Sequence, residues 1–131
     1  MDGLHFKHRE DEAAWGTIDA FARWLTFSLW YYARAADGVS HLLISSVVTP
    51  AAGRVSLTHE EGRAVDVSFR EGGLTLETAE AWAEWINSGF YGPGGMKLAV
   101  VGKLDPAGRH NDHVHIQTPR PCKPQRRVLV I

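Results

Sequence analysis

The stretch His110-Asn111-Asp112-His113-Val114-His115-Ile116-Gln117-Thr118 holds three of the seven histidines of the chain. We interpret it as a strand entered from a polar turn. Side chains alternate between the two faces of a strand, so His113 and His115 point one way and Val114 the other. Imidazole is a common metal ligand, and two on one face are half of a zinc site. The other interpretation is a strand with two surface histidines.

A second informative stretch runs from Ser56 to Val67. Its His59 and Asp66 are seven residues apart, and Gly62 between them permits a tight turn. Asp66 lies among β-branched residues that favour a strand, and a carboxylate buried there needs a partner. A metal ion is one such partner. A hydrogen bond on an exposed edge is the alternative.

Together the two stretches predict one zinc site. His59, Asp66 and one of His113 or His115 would supply three protein ligands. A fourth position would remain for water, which is typical of catalytic zinc and not of structural zinc. Zinc lowers the pKa of its water to about 7 and polarises a carbonyl oxygen.

The pattern of apolar residues predicts an α+β fold, in which helices pack on a small, mainly antiparallel sheet. A further short apolar segment ends the chain and could add an edge strand or lie against the core. The predicted helices are Glu12–Ala36 and Leu76–Ser88, and the predicted strands lie in 41–48, 54–69, 97–101 and 110–118, with the terminal segment at 128–131.

The bulk composition fits one domain over residues 1–131, with 1–10 and 119–127 loose. A net charge of −1 gives no electrostatic reason to expect nucleic acid or a membrane surface as a partner. Cys122 is the single cysteine, so no intrachain disulfide can form. Neither a signal peptide nor a membrane span is recognisable, so we expect a cytoplasmic monomer unless another factor releases it.

The paired motifs resemble those of a known peptidase family. They read Ser56-x-x-His59-x-x-Gly62-Arg63-Ala64-Val65-Asp66 and Asp112-His113-Val114-His115. This pattern resembles the zinc D-alanyl-D-alanine carboxypeptidases and the L-alanyl-D-glutamate peptidases of phage endolysins. These share a fold with lysostaphin-type peptidases and the hedgehog N-domain. The resemblance spans residues 40 to 118 and implies a hedgehog/D,D-peptidase-like fold.

The resemblance also implies a role for each site residue. His59, Asp66 and His115 would bind zinc, and Asp112 would be the general base. His113 would orient groups or stabilise the developing oxyanion. These roles agree with the strand geometry, because a carboxylate at the strand entry can lean over the metal-bound water. A further active-site histidine of some relatives would be His110.

The chain departs from the family at its substrate-binding residues. Leu57 occupies a position where the family often has serine, and Ser56 lies one step further back. The preceding strand lacks the arginine that helps to hold substrate in the family. Arg54 or Arg63 could replace it. We therefore consider Arg54, Arg63, His110 and Ser56 as possible substrate-binding residues.

The expected function is zinc-dependent hydrolysis of an amide bond in a peptidoglycan stem peptide, without an acyl-enzyme. A phage-type endolysin or a virion lysin, acting on the wall after release, fits the expected absence of a signal peptide. A cytoplasmic D-Ala-D-Ala dipeptidase is also compatible, as is a zinc-stabilised peptidoglycan-binding module without turnover. A different metallohydrolase or phosphoesterase is disfavoured, because neither His-x-His-x-Asp-His nor the pair of His-x-Thr motifs of a two-histidine phosphoesterase occurs.

Overall fold

The helices and strands were assigned in a computed structural model, which describes residues 3–48, 57–105, 108, 111–119 and 125–126. Short 3-10 turns connect some of the elements. In chain order the elements are β1 (Leu4–Phe6), α1 (Arg9–Ala14), α2 (Ala20–Asp37), β2 (Leu42–Ser46), α3 (Leu57–Glu60), β3 (Ala64–Ser68), α4 (Leu76–Gly89), β4 (Phe90–Tyr91), β5 (Ala99–Val100), β6 (His113–Gln117) and β7 (Gln125–Arg126).

A mixed five-stranded sheet in the order β1-β2-β3-β6-β5 forms the centre of the fold. β1 pairs with β2 in parallel, and the other neighbours in this sheet are antiparallel. β4 and β7 form a separate antiparallel pair. The predicted α+β class with a mainly antiparallel sheet is therefore confirmed.

The two central strands, β3 and β6, separate the hydrophobic core from the polar residues of interest. Val65 and Val67 pair with Ile116 and Val114, and all four are completely buried in the main core. α2 and α4 pack against this part of the sheet. Because side chains alternate along a strand, the residues between these valines and isoleucines project from the opposite face.

The single helix predicted from Glu12 to Ala36 is wrong, because the chain forms two helices there. α1 ends at Ala14, a 3-10 turn covers Trp15–Thr17, and α2 begins at Ala20. The break is made by Asp19, whose carboxylate accepts a hydrogen bond from the backbone N–H of Ala22 at 3.0 Å. This is N-capping, a helix-start signal that the run of apolar residues obscured.

Residues 3–10 are also more ordered than expected. Leu4–Phe6 forms β1, and Leu4 is buried in the core. β1 pairs with β2 over its whole length. Parallel pairing with a distant strand has no local sequence signature, so the polar composition of this segment was misleading.

The second predicted helix is confirmed as α4. Thr75 caps its N-terminus by accepting a hydrogen bond from the N–H of Thr78 at 3.2 Å. Its buried face consists of Ala79, Trp82, Ala83, Ile86 and Gly89. The terminal segment 128–131, for which an edge strand or packing against the core was expected, lies outside the described residues. Among the described residues, no helix combines the length and apolar character needed to cross a bilayer.

Candidate metal centre

Three side chains from three different elements meet on the polar face of the sheet. They are His59 on α3, Asp66 on β3 and His115 on β6, and all three are buried. Asp66 and His115 are directly paired across the two strands, which places their side chains on the same face. Each offers a ligand atom within 4.8 Å of the other two. The chain therefore brings together a group that could hold a metal ion.

His59 is oriented by the backbone of the residue that follows β2. Its Nδ1 donates a hydrogen bond to the carbonyl oxygen of Val47 at 2.8 Å. A neutral imidazole has one N–H, so Nε2 then carries the lone pair. This Nε2 is buried, lies 3.2 Å from Asp66 Oδ2 and makes no hydrogen bond with any described residue. A buried nitrogen with a free lone pair suits a metal ion.

A short turn holds His59 in this position. Gly62 N–H donates to the carbonyl of His59 at 3.0 Å, and Arg63 N–H donates to that of Thr58 at 2.7 Å. Gly62 has a φ of 69°, in the left-handed region that glycine adopts without strain. The turn expected at Gly62 is therefore present, and it connects the histidine directly to β3.

His115 is oriented by a side chain two residues further along β6. Gln117 donates from its amide nitrogen to the carbonyl of Lys97 at 2.9 Å, which turns its amide oxygen the other way. That oxygen lies 3.1 Å from His115 Nε2 and accepts a hydrogen bond from it. Nδ1 of His115 then faces Asp66 Oδ1 at 2.9 Å. The two histidines thus offer different nitrogens, Nε2 of His59 and Nδ1 of His115.

The electrostatics of the cluster keep Asp66 ionised. Burial would raise the pKa of this carboxyl, but the adjacent His115 and His59 outweigh burial and hold its pKa well below the usual range. Burial would likewise lower the pKa of His59. Asp66, the Val47 carbonyl and the more distant charge of Asp11 raise that pKa instead. The cluster therefore favours the ionised form of the buried carboxylate.

The donor set fits zinc. A tetrahedral zinc with ligands at roughly 2.0–2.1 Å separates them by about 3.4 Å. Nε2 of His59 and Oδ2 of Asp66 are 3.2 Å apart, close to that spacing. Two imidazoles and one carboxylate leave a fourth position open, as catalytic zinc sites do.

The two residues expected to act on the reacting groups lie at the edge of this cluster. His113 Nε2 is 3.6 Å from Asp66 Oδ2, and its Nδ1 is 2.5 Å from Asp112 Oδ1. The His113 ring therefore bridges the buried carboxylate and an outer one. Asp112 is the residue before β6, and its side chain is 72% exposed. Solvent can reach it there.

Of the four expected substrate-binding residues, the structure describes only Arg63. Arg54, Ser56 and His110 lie outside the described residues. Arg63 donates from Nε and Nη2 to Glu61 Oε1 at 3.1 and 2.7 Å, and from Nη1 to the Thr118 carbonyl. These contacts tie the turn after α3 to the end of β6. The guanidinium of Arg63 thus has partners within the protein, and its role as a substrate anchor stays a prediction.

Sequence reasoning missed the residues that orient the ligands. Gln117 lies two residues after His115 on the same strand face, and this spacing could have identified it. Thr58, whose Oγ1 is 3.5 Å from His115 Nε2, precedes His59 in the first motif. The Val47 carbonyl has no side-chain signature. Backbone acceptors of this kind become visible only in the folded chain.

Comparison with known proteins adds no assignment. No protein-family model, curated protein or solved structure matches the chain. A functional conclusion therefore depends on the geometry of the cluster and on the two motifs that form it.

Proposed function

We propose that this chain is a zinc-dependent peptidase that hydrolyses an amide bond in peptidoglycan stem peptides. The observation that carries the proposal is the buried cluster of His59, Asp66 and His115, with His113 and Asp112 at its open edge. These residues belong to the two motifs, and a metallopeptidase needs a metal-holding set with an acid–base group nearby. The resemblance of those motifs supplies the substrate class.

Each residue of the cluster has its own role in the proposed reaction. Nε2 of His59, a carboxylate oxygen of Asp66 and Nδ1 of His115 would hold zinc, which when bound supplies a Lewis acid and lowers the pKa of water. Asp112 would accept the proton of the attacking water and return it to the leaving amine. His113 would donate a hydrogen bond to the oxyanion that develops on the scissile carbonyl. Asp112 Oδ1 in turn fixes the His113 ring through Nδ1.

The decisive experiment is digestion of purified peptidoglycan with the zinc-loaded protein, followed by mass spectrometry of the fragments. New peptide termini are expected, and they identify the bond that is cut. Asp112→Asn should retain zinc but lose activity by at least about 100-fold, the usual contribution of a general base. Glu84→Gln, an exposed acid at 55% side-chain exposure, is the matched control and should cut normally.

A variant at Asp112 that keeps both zinc and full activity would exclude this residue as the base. Intact peptidoglycan after incubation with the zinc-loaded wild type would exclude the peptidase. If such intact peptidoglycan is nevertheless bound, the second candidate function holds, a zinc-stabilised wall-binding module. The observation that favours this second candidate is the guanidinium of Arg63, which is held by Glu61 and Thr118.

The resemblance extends to the biological setting of the reaction. A phage-type endolysin or virion lysin would reach the wall after release or delivery. A cytoplasmic D-Ala-D-Ala dipeptidase would act on a free dipeptide instead. Parallel assays on intact peptidoglycan and on D-Ala-D-Ala distinguish these two settings, because only the dipeptidase is expected to prefer the free dipeptide.

A further inference from the structure

Asp11 is a completely buried carboxylate that the two motifs do not include. It lies on α1, and its Oδ1 accepts hydrogen bonds from the backbone N–H groups of Val47 at 2.9 Å and Val48 at 2.7 Å. Burying an ionised carboxylate costs several kcal/mol unless hydrogen bonds compensate. The short bond to Val48 is typical of a charge-assisted hydrogen bond. A group buried at such a cost needs an explanation.

The peptide group between Val47 and Val48 connects Asp11 to the metal centre. Its N–H donates to Asp11 Oδ1, and its carbonyl oxygen accepts the hydrogen bond from His59 Nδ1 at 2.8 Å. The C–N bond of a peptide has partial double-bond character, so its two ends are electronically coupled. A negative charge at the N–H end increases the electron density on the oxygen. Hydrogen bonds in such a chain strengthen one another.

We propose that Asp11 is a positioning residue of the metal centre, acting on His59 through the Val47–Val48 peptide group. It fixes the Nδ1–H tautomer of His59 and makes Nε2 a stronger donor to zinc. Metal-binding histidines commonly donate their second ring nitrogen to a carboxylate or a carbonyl. Here His59 donates to the Val47 carbonyl, and the Asp11 carboxylate accepts from the N–H of the same peptide group. This inference rests on the proposed zinc site and is independent of the peptidase reaction.

Asp11→Asn tests the role of the charge. The asparagine side chain has nearly the same shape, and its amide oxygen can still accept both N–H groups. Zinc affinity, measured by competition with a chromophoric chelator, should fall by about tenfold or more. Asp37→Asn is the matched control, because Asp37 also accepts a hydrogen bond, from Trp82 Nε1 at 2.7 Å, but has no connection to His59. The control should bind zinc as the wild type does.

A second readout separates positioning from a general loss of structure. In metal-free protein, the ¹⁵N chemical shifts of His59 report which ring nitrogen carries the proton. The wild type should show the Nδ1–H form, and Asp11→Asn should show a mixture of tautomers while the other histidines keep their shifts. If Asp11→Asn does not fold, Asp11→Ser, which keeps a small hydrogen-bond acceptor, is measured in the same way.

His59→Ala distinguishes the failure of this inference from failure of the zinc site. The role of Asp11 is overturned if a folded Asp11 variant keeps wild-type zinc affinity and unchanged His59 shifts. If His59→Ala loses zinc in the same experiment, the proposed zinc site is still supported. If His59→Ala binds zinc with wild-type affinity, the proposed zinc site is wrong, and so is the inference about Asp11.

Discussion

The ring orientations of His59 and His115 are determined by the groups that their nitrogens facing away from Asp66 contact. His59 uses a backbone carbonyl and His115 uses the amide oxygen of Gln117, so each ring has one defined tautomer available for a metal. Without a metal, Asp66 is the group that both rings face. At the scale of single residues, the site is therefore a carboxylate between two oriented imidazoles.

This arrangement predicts how the stability of the metal-free protein depends on pH. The pKa of Asp66 is depressed by folding, so its contribution is present above the unfolded value of about 3.9 and is lost as the pH falls towards the folded value. The pKa of His59 is raised by folding. Its contribution is complete below its ordinary value of 6.5 and is lost as the pH rises through the folded value.

Urea unfolding in the presence of a chelator, repeated across this pH range, measures the effect. The contribution of the pair should be greatest between about pH 5 and 6.5 and should decrease on both sides. Asp66→Asn should remove this decrease in the free energy of unfolding on both sides, because it removes the titrating carboxylate and the partner of His59. An unchanged pH profile in Asp66→Asn would show that the pair does not contribute.

At the scale of elements, the turn between α3 and β3 decides where His59 lies relative to Asp66. Gly62 makes this turn possible through its left-handed backbone. A methyl group there would meet Ile18 at 3.6 Å, an ordinary contact, so the cost of a substitution comes from the backbone and not from crowding.

Gly62→Ala should therefore destabilise the protein by about 1–2 kcal/mol, the cost of a left-handed conformation for a residue with a Cβ. Gly16→Ala is the matched control, since it has open space around it and no left-handed backbone. It should be neutral or slightly stabilising. The free energies of unfolding in urea check both, and equal values for the two variants would contradict the role of the turn.

The same elements show what the sequence could and could not predict. His59, Asp66 and the pair His113 and His115 were predicted because motif spacing and strand alternation are local properties of the chain. The choice of His115 over His113 came from the family resemblance, and His115 is the one that lies with His59 and Asp66. α4 was identified because Thr75 and an apolar face mark it. The break at Asp19 was missed because aromatic residues continue the helical pattern across it. β1 and the contacts of Asp11 with Val47 were missed because they join segments far apart in sequence.

At the scale of the whole molecule, a metal ion would connect α3, β3 and β6. Ligand binding to the native state alone raises the free energy of unfolding, by about 2.7 kcal/mol when free zinc is 100 times its Kd. Zinc should therefore shift the urea midpoint of the wild type upward, and a chelator should reverse the shift.

His115→Ala should abolish this stabilisation, since it removes one of the three ligands. His41→Ala is the matched control, an exposed histidine whose ring stacks on His5 at 3.7 Å. It should retain the full zinc-induced shift. A zinc-induced shift of the same size in His115→Ala would place the ion elsewhere on the protein.

The alternation along β3 and β6 has a practical consequence for engineering. Val65, Val67, Val114 and Ile116 face the helices, whereas Asp66, Ser68, His113 and His115 occupy the other face. A library of substitutions at Ser68, with His113 kept, would thus vary the surroundings of the metal without repacking the interior. New specificities could be selected on this scaffold while the parts that keep it folded stay constant.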